Sequence, residues 1–238
     1  MPQNLDFNAY FSSRADATSS LIEILPTTRI VEDQWLIVAI SPQAVPSANM
    51  IACRFGLNYD LLITEAIYAP NNSECTVAMV SETEEIVIHE ALVNSFEINL
   101  DYIYGQAHRV YEEKIIPQAY RYRKGDLISS LKGRNVLFID IGCEVGLKEI
   151  CCVKTAMKLE AASIMYATPV IAADVASSLE IIVDELFIVK RIDNFVNTEF
   201  YYENLSELSQ DDIIEILKNS EGYLPFQKDR RNLDGIQD

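Results

Sequence analysis

The stretch from Asn135 to Leu159, NVLFIDIGCEVGLKEICCVKTAMKL, has the pattern of a buried strand, a tight turn and a helix. Residues 136–139 form a continuous apolar run, which is typical of a central parallel strand covered on both faces. Gly142 and Gly146 give the backbone freedom for a sharp turn, and apolar residues then recur on one helical face. Ligands of open α/β sheets bind at such turns, where the N–H groups of a helix N-terminus attract anions. The stretch therefore predicts a phosphate-binding turn.

Length and charge limit the classes of function. The chain has 238 residues, of which 49% are hydrophobic, so it is long enough for one α/β domain with a buried core. It contains 36 Asp and Glu against 19 Lys and Arg, for a formal net charge of -17. Such a charge repels polyanions. We therefore expect no nucleic-acid partner and no anionic membrane surface as a partner.

The amino terminus and the metal-binding residue types are also informative. Residues 1–16 lack a basic start followed by an apolar run, so we expect a cytoplasmic protein. The cysteines show no C-x-x-C spacing, and His89 and His108 lie far apart, so neither a disulfide framework nor a metal site is expected. Acidic residues such as Glu82 are interpreted as solvated surface charge.

The order of the predicted elements indicates a single α/β fold. Helices are predicted at about 6–25, up to about 54, and at 92–116, 172–182 and 209–217; strands are predicted at 35–40, 59–64, 75–80, 85–89, 135–141, 163–172 and 185–192. Alternating strands and helices favour a central parallel sheet flanked by helices. Residues 75–89 are predicted to form a small antiparallel flap. The domain is expected to span 1–218, followed by a mobile or docking C-terminal extension at 219–238.

Several segments, in their order along the chain, resemble one branch of the type I phosphoribosyltransferase family over about residues 11–216. The quoted segments are FSSRADATSSLIEIL at 11–25 for the opening helix, VAISPQAVPSA at 38–48 for the first phosphate loop, LLITEAIYAPNNSE at 61–74 for the pyrophosphate loop, EIVIHEALV at 85–93 for the strand and helix after it, and YRKG at 122–125 for the basic end of a mobile loop. The central unit stands where this family has its phosphoribosyl pyrophosphate signature.

The resemblance implies a set of site residues. Asp140 would contact ribose and act in catalysis. Gly142, Glu144, Gly146 and Lys148 would form the phosphate-binding turn. Arg121, Arg123 and Lys124 would close over the pyrophosphate as part of the mobile loop.

The chain departs from the family pattern at these loops. The second acid of the signature is Ile141, and Glu144 stands in a turn that lacks the usual hydroxyl side chains. The Arg-Lys pair of the pyrophosphate loop is replaced by Glu65 and Ala66, and residues 42–44 read Pro-Gln-Ala in place of Arg-Gly-Gly. Loss of basic side chains removes charge-assisted hydrogen bonds to an anion.

Two functions remain open at the sequence level. The favoured one is a non-catalytic binding or interaction protein on this fold, with a phosphorylated small molecule or an unidentified protein as partner and a homodimer as one open assembly. The alternative is an active enzyme that transfers phosphoribosyl from phosphoribosyl pyrophosphate to a nitrogen base. Mg²⁺ is expected only for the active enzyme.

Overall fold

The apolar runs of the sequence form a central parallel sheet. The computed structural model describes residues 9–227. Within them the strands are Phe11–Ser13 (β1), Leu36–Ala39 (β2), Tyr59–Leu61 (β3), Thr64–Ala69 (β4), Asn72–Ser81 (β5), Ile86–Ile88 (β6), Asn135–Ile139 (β7), Ser163–Ala172 (β8), Glu185–Ile192 (β9) and Tyr202–Asn204 (β10). Five of these strands pair in parallel in the order β3-β2-β7-β8-β9. The predicted fold class is confirmed, with β7 at the centre of the sheet.

Helices pack on both faces of the sheet. They are Arg14–Ile24 (α1), Thr27–Glu32 (α2), Val45–Phe55 (α3), Glu90–Ser95 (α4), Leu100–Val110 (α5), Ile116–Arg123 (α6), Leu147–Lys158 (α7), Ala173–Leu179 (α8) and Gln210–Asn219 (α9). Alternate residues of β7 enter different apolar clusters, with Leu137 in one and Val136 and Phe138 in the other. This two-sided burial explains why the strand is apolar at successive positions.

The flap is larger than the sequence predicts. It has three antiparallel strands in the order β4-β5-β6, and β5 already begins at Asn72. Residues 64–69 are a strand, although Pro70, Asn71 and Asn72 favoured a loop across this region. Asn71 has a φ of 63°, which suits the tight turn between β4 and β5. The turn residues therefore join two strands of one hairpin.

Two helical predictions need correction. The first helix begins at Arg14, with the Ser13 side chain accepting a hydrogen bond from the Asp16 N–H, and the predicted positions 6–8 lie outside the described residues. The prediction of one helix over 92–116 is wrong, because α4 and α5 are separate and helical backbone continues to Arg123. A π-helical segment, Tyr111–Ile115, precedes Pro117. It leaves Pro117 in the first turn of α6, where proline is tolerated.

The described part of the predicted extension packs against the sheet. Tyr223 is fully buried and forms a parallel bridge with Tyr59 in the edge strand β3. The Tyr223 hydroxyl donates to the Tyr122 carbonyl at 3.2 Å. Residues 228–238 lie outside the described residues, so the boundary near 218 stays a prediction. Among residues 9–227, no helix is both long and apolar enough to cross a membrane.

Candidate functional site

The turn after β7 is built as the sequence predicts. Gly146 has a φ of 81°, and a Cβ at this position would lie 2.6 Å from the Val175 side chain. Both conditions favour glycine. Cys143 attaches the turn to β8, since its N–H donates to the Val170 carbonyl at 2.9 Å and its carbonyl accepts from the Ala172 N–H at 3.1 Å. The turn is therefore fixed between the central strand and the start of α7.

A cavity of about 570 Å³ lies at this turn. Its lining includes the predicted phosphate-turn residues Gly142, Glu144, Gly146 and Lys148, together with Ser41, Gln43, Thr76, Met79, Ile141, Val145, Leu147, Glu149, Asn197, Thr198, Glu199 and Leu205. The volume is within the range of small-molecule sites. The structure thus brings the four predicted turn residues together around one cavity, while their proposed contacts with phosphate stay a prediction.

Asp140 lies beneath this cavity and is paired with Lys148. The Asp140 carboxylate is fully buried, and the Lys148 Nζ lies 2.9 Å from its Oδ2 atom. The same Oδ2 accepts from the Tyr166 hydroxyl at 3.3 Å, and Oδ1 accepts from the Ile141 N–H at 2.9 Å. The Lys148 Nζ also lies 3.4 Å from Oε1 of Glu149, a buried neighbour that the sequence reasoning missed. Lys148 therefore serves as counter-ion to two carboxylates.

The protonation of this cluster follows from burial and charge. Burial alone lowers the pKa of Lys148, but the adjacent Asp140 and Glu149 carboxylates raise that pKa above its ordinary value. Burial raises the pKa of Glu149 to about 7, although the Lys148 ammonium opposes the shift. Burial also raises the pKa of the Cys143 thiol well above its ordinary value. Cys143 is therefore a protonated packing residue and lacks the thiolate that nucleophilic attack requires.

A segment between β9 and β10 covers the turn. The Glu144 Oε1 atom accepts from the Thr198 N–H at 2.7 Å, and a Cβ on Gly142 would lie only 2.3 Å from the Thr198 Cγ2 atom. The Tyr202 hydroxyl donates to the Ile141 carbonyl at 2.6 Å. The Glu144 carboxylate is thus bonded to the protein's own backbone. Sequence reasoning missed this contact, because Glu144 and Thr198 lie 54 positions apart along the chain.

The predicted mobile-loop residues lie elsewhere. Arg123 is 2% exposed and is ion-paired with Glu82, with Asp60 4.0 Å from its second terminal nitrogen. Glu82 is itself fully buried, so its interpretation as solvated surface charge is wrong. Arg121 and Lys124 are exposed, and neither lines the cavity. The structure does not bring these three residues to the turn, and their role toward pyrophosphate stays a prediction.

In the other two altered loops, the side chains also form hydrogen bonds or ion pairs within the protein. Gln43 belongs to a short 3-10 helix, Pro42–Ala44, and its side chain bonds both the N–H and the carbonyl of Leu208 at 3.0 Å. Glu65 lies in β4, where its carboxylate accepts from the Gln118 amide and lies 3.5 Å from the Lys114 Nζ. Within residues 9–227, no group of three or more His, Cys, Asp or Glu side chains is arranged to hold a metal ion.

Comparisons with known proteins address the fold. No protein-family model matches the chain, and no curated protein matches it significantly. The crystal structure of TT1426 from Thermus thermophilus superposes with a TM-score of 0.72 at 22% identity, covering 89% of this chain and 99% of TT1426. A purine phosphoribosyltransferase from Pyrococcus horikoshii gives a TM-score of 0.42 at 13% identity, covering 77% of this chain and 89% of the other. A hypothetical protein from Neisseria gonorrhoeae with bound ppGpp gives a TM-score of 0.45 at 14% identity, covering 87% of this chain and 94% of the other.

These similarities concern the fold and assign no residue roles or ligand. The chain shares its overall topology with TT1426 along almost the whole of that protein. The parallel sheet with a separate three-stranded flap has the architecture that the sequence resemblance implied. The chain has the α/β fold of TT1426, with a central parallel sheet and a separate antiparallel flap.

Proposed function

We propose that this protein is a non-catalytic binding protein with a phosphoribosyltransferase-like fold, and that its cavity takes a small molecule with one anionic group, such as a sugar monophosphate. The observation that carries the proposal is the pairing of Lys148 with Asp140 at 2.9 Å and with Glu149 at 3.4 Å. The cation at the turn is already neutralised by the protein. It therefore attracts an incoming anion less than a free lysine does.

The charges around the cavity oppose a substrate with several phosphates. Glu144, Glu149 and Glu199 line the cavity, whereas Lys148 is the one Lys or Arg among the described lining residues. Two unit charges about 4 Å apart interact by roughly 4 kcal/mol at an effective dielectric near 20. Each added phosphate would meet this repulsion without a further cationic side chain among the described lining residues. Phosphoribosyl pyrophosphate is thus a poorer ligand here than a monophosphate.

One element suited to a single anion remains at the turn. Gly146 occupies the N-cap of α7 and has no side chain to accept the first N–H groups of the helix. Such groups, together with the positive end of the helix dipole, stabilise one negative charge. Lys148 lies in the same first turn with its side chain 28% exposed. These groups support binding of one phosphate.

The site lacks side chains that would stabilise the charge that develops in the transition state of phosphoribosyl transfer. By the resemblance, Ile141 and Val145 stand where the family has side chains that bind ribose and phosphate. Glu65 stands where the family has a cation of the pyrophosphate loop. Removing one preorganised donor from an active site costs about 2.7–4 kcal/mol of transition-state stabilisation. Several such losses in one site would lower the rate by many orders of magnitude.

The first experiment measures turnover. Purified full-length protein is incubated with phosphoribosyl pyrophosphate and Mg²⁺ against a panel of purines, pyrimidines and pyridine carboxylates, and pyrophosphate release is followed beside an active phosphoribosyltransferase. We expect no release above the protein-free rate. Sustained turnover with any base that is abolished by Asp140→Ala would establish the active enzyme instead.

The second experiment measures binding by calorimetric titration with ribose 5-phosphate and with phosphoribosyl pyrophosphate plus Mg²⁺. We expect ribose 5-phosphate to bind more tightly. Lys148→Gln should weaken that binding by about tenfold, the usual scale of one charge-assisted hydrogen bond. Lys154→Gln on the exposed side of α7 is the matched control and should leave it unchanged. Tighter binding of phosphoribosyl pyrophosphate, or no effect of Lys148→Gln, would contradict the proposed site.

A further inference from the structure

Two carboxylates on the wall of the cavity have no cationic partner within that wall. Glu144 lies in the turn, and Glu199 lies in a short 3-10 helix of the segment that covers the turn. Lys148 is the one Lys or Arg among the described lining residues, and its Nζ lies 2.9 Å from Asp140 and 3.4 Å from Glu149. The positive charge of the wall is therefore engaged by other carboxylates.

The covering segment brings these two carboxylates to adjoining positions. The Glu144 Oε1 atom accepts from the Thr198 N–H at 2.7 Å, so this carboxylate lies against the backbone that leads into Glu199. Charges of one sign along a cavity focus the electric field in the cavity, because its protein walls have a low dielectric constant. This part of the cavity therefore favours a cationic group.

The buried side of the cavity also carries more negative than positive charge. Glu149 is 3% exposed and lines the cavity, and it shares the single Lys148 ammonium group with the fully buried Asp140. Burial raises the pKa of Glu149 to about 7, so near neutral pH a proton supplies part of the missing positive charge. This shortage is separate from the two carboxylates at the covering segment. It indicates a ligand that brings a positive charge of its own.

On the basis of the proposed function, we propose that the ligand is a phosphorylated amine, such as an amino-sugar monophosphate. Its phosphate lies at the N-terminus of α7, and its ammonium group donates to Glu144 and Glu199. Such a ligand has the one anionic group that suits the turn and adds the cation that the wall lacks. A plain sugar monophosphate would bring its negative charge near these carboxylates without compensating them.

An ammonium group suits these carboxylates better than a metal ion does. Among the residues that the structure describes, no three His, Cys, Asp or Glu side chains are arranged to hold a metal ion. A divalent cation needs several ligands in a fixed geometry. A primary ammonium group needs only acceptors for its three N–H bonds, which two carboxylates provide.

Calorimetric titration of the full chain with glucosamine 6-phosphate and with glucose 6-phosphate tests the ligand class. The two sugars differ by one amino group in place of a hydroxyl group. The titrations are made at about pH 6.5, where a primary amine is protonated, and in EDTA, so that no divalent cation supplies the charge. We expect glucosamine 6-phosphate to bind about fivefold more tightly, the scale of an ion pair that solvent reaches. Glucosamine without its phosphate should bind more weakly than glucosamine 6-phosphate.

Two variants test which residues recognise the amine. Glu144→Gln/Glu199→Gln removes both charges but keeps oxygen acceptors, including the one for the Thr198 N–H. It should bind the two sugar phosphates with affinities within about twofold of each other, because the ion pair is lost. Glu203→Gln is the matched control, since Glu203 is exposed in β10 and does not line the cavity. It should keep the wild-type preference.

The outcomes separate the ligand class from the proposed function. Equal binding of both sugar phosphates to the wild type would overturn the ligand class and leave the anion site in place. A preference that persists in Glu144→Gln/Glu199→Gln, or glucosamine that binds as tightly as its phosphate, would also overturn the ligand class. Binding of neither sugar phosphate would overturn both the proposed function and the ligand class.

Discussion

Lys148 joins two carboxylates that would otherwise be buried without a counter-charge. Asp140 is fully buried and Glu149 is 3% exposed, so neither can be solvated by water. Removing one partner of a buried ion pair leaves an uncompensated charge, which costs more than the pair itself contributed. The lysine that the sequence assigns to phosphate binding therefore also holds the strand β7 to the helix α7.

The first prediction follows for Lys148→Gln. We expect the free energy of unfolding to fall by about 3 kcal/mol, because Asp140 loses its ion partner in a buried setting. Urea unfolding followed by circular dichroism measures the change. The double variant Asp140→Asn/Lys148→Gln, which removes the unpaired charge, should be less destabilised than the sum of its single variants. Additive effects would mean that the two side chains do not interact.

The second prediction concerns Glu149 and pH. Its pKa is raised to about 7 in the folded protein from an ordinary value of 4.5, because burial disfavours the charged form. A raised carboxyl pKa favours folding while the group keeps its proton, and that contribution is lost as the pH rises from about 4.5 to about 7. Glutamine has no proton to lose in this range, so Glu149→Gln avoids this loss of folding stability. Relative to wild type, the variant should gain about 3 kcal/mol of unfolding free energy between about pH 4.5 and about pH 8.

Urea unfolding of both proteins at several pH values measures this difference. The control is Glu144→Gln, since the Glu144 side chain is exposed and lies in the same turn. Stability curves of wild type and Glu149→Gln that run parallel across this pH range would show that the pKa of Glu149 is not raised in the folded protein.

At the scale of elements, a buried charge cluster fixes the chain after α6. Glu82 accepts from the N–H groups of Ile63 and Ile128, both at 2.8 Å, and pairs with Arg123. Asp60 accepts from the Ser129 N–H at 3.0 Å. The segment expected to close over a ligand is thus attached to the sheet and the flap. Its attachment depends on carboxylates many residues away along the chain.

The third prediction is that Arg123→Met lowers the free energy of unfolding by about 3–5 kcal/mol, since Glu82 would stay buried without a counter-ion. Thermal and urea unfolding measure the loss. Arg121→Met, two residues earlier and exposed, is the control and should change stability by less than about 0.5 kcal/mol. A loss in Arg123→Met no larger than in Arg121→Met would show that the buried pair contributes little.

Local patterns predicted the elements whose contacts are local. The apolar runs of β7, β8 and β9 and the glycines of the turn are recognised from adjacent residues. The helix predicted at 209–217 is present as α9, with Ser209 forming a capping box at its start. Glu82, Thr198 and β4 were missed, because their burial depends on residues far along the chain. The ion pair of Arg123 with Glu82 spans 41 positions, and no periodicity reports such a partner.

At the scale of the whole molecule, the described C-terminal residues join the edge of the sheet to α6. The Tyr59 N–H donates to the Gly222 carbonyl at 2.9 Å, and the Tyr223 ring packs 5.3 Å from the Tyr59 ring. Together with the Tyr223 hydroxyl on the Tyr122 carbonyl, these contacts bury a residue that the sequence placed in a mobile or docking tail. Residues near 223 therefore belong to the folded core.

The last prediction compares two substitutions of Tyr223. Tyr223→Ala removes a fully buried ring and should lower the free energy of unfolding by about 3–5 kcal/mol. Tyr223→Phe keeps the ring and loses only the hydrogen bond to Tyr122, so it should cost about 1 kcal/mol. The single tryptophan, Trp35, is buried beside β2 and reports unfolding of the sheet by fluorescence. We expect the fluorescence transition of Tyr223→Ala to move to lower urea together with the circular dichroism transition, because loss of the tail contact weakens the whole domain. A fluorescence transition that stays at the wild-type midpoint would instead show that residues near 223 dock onto a sheet that is stable without them.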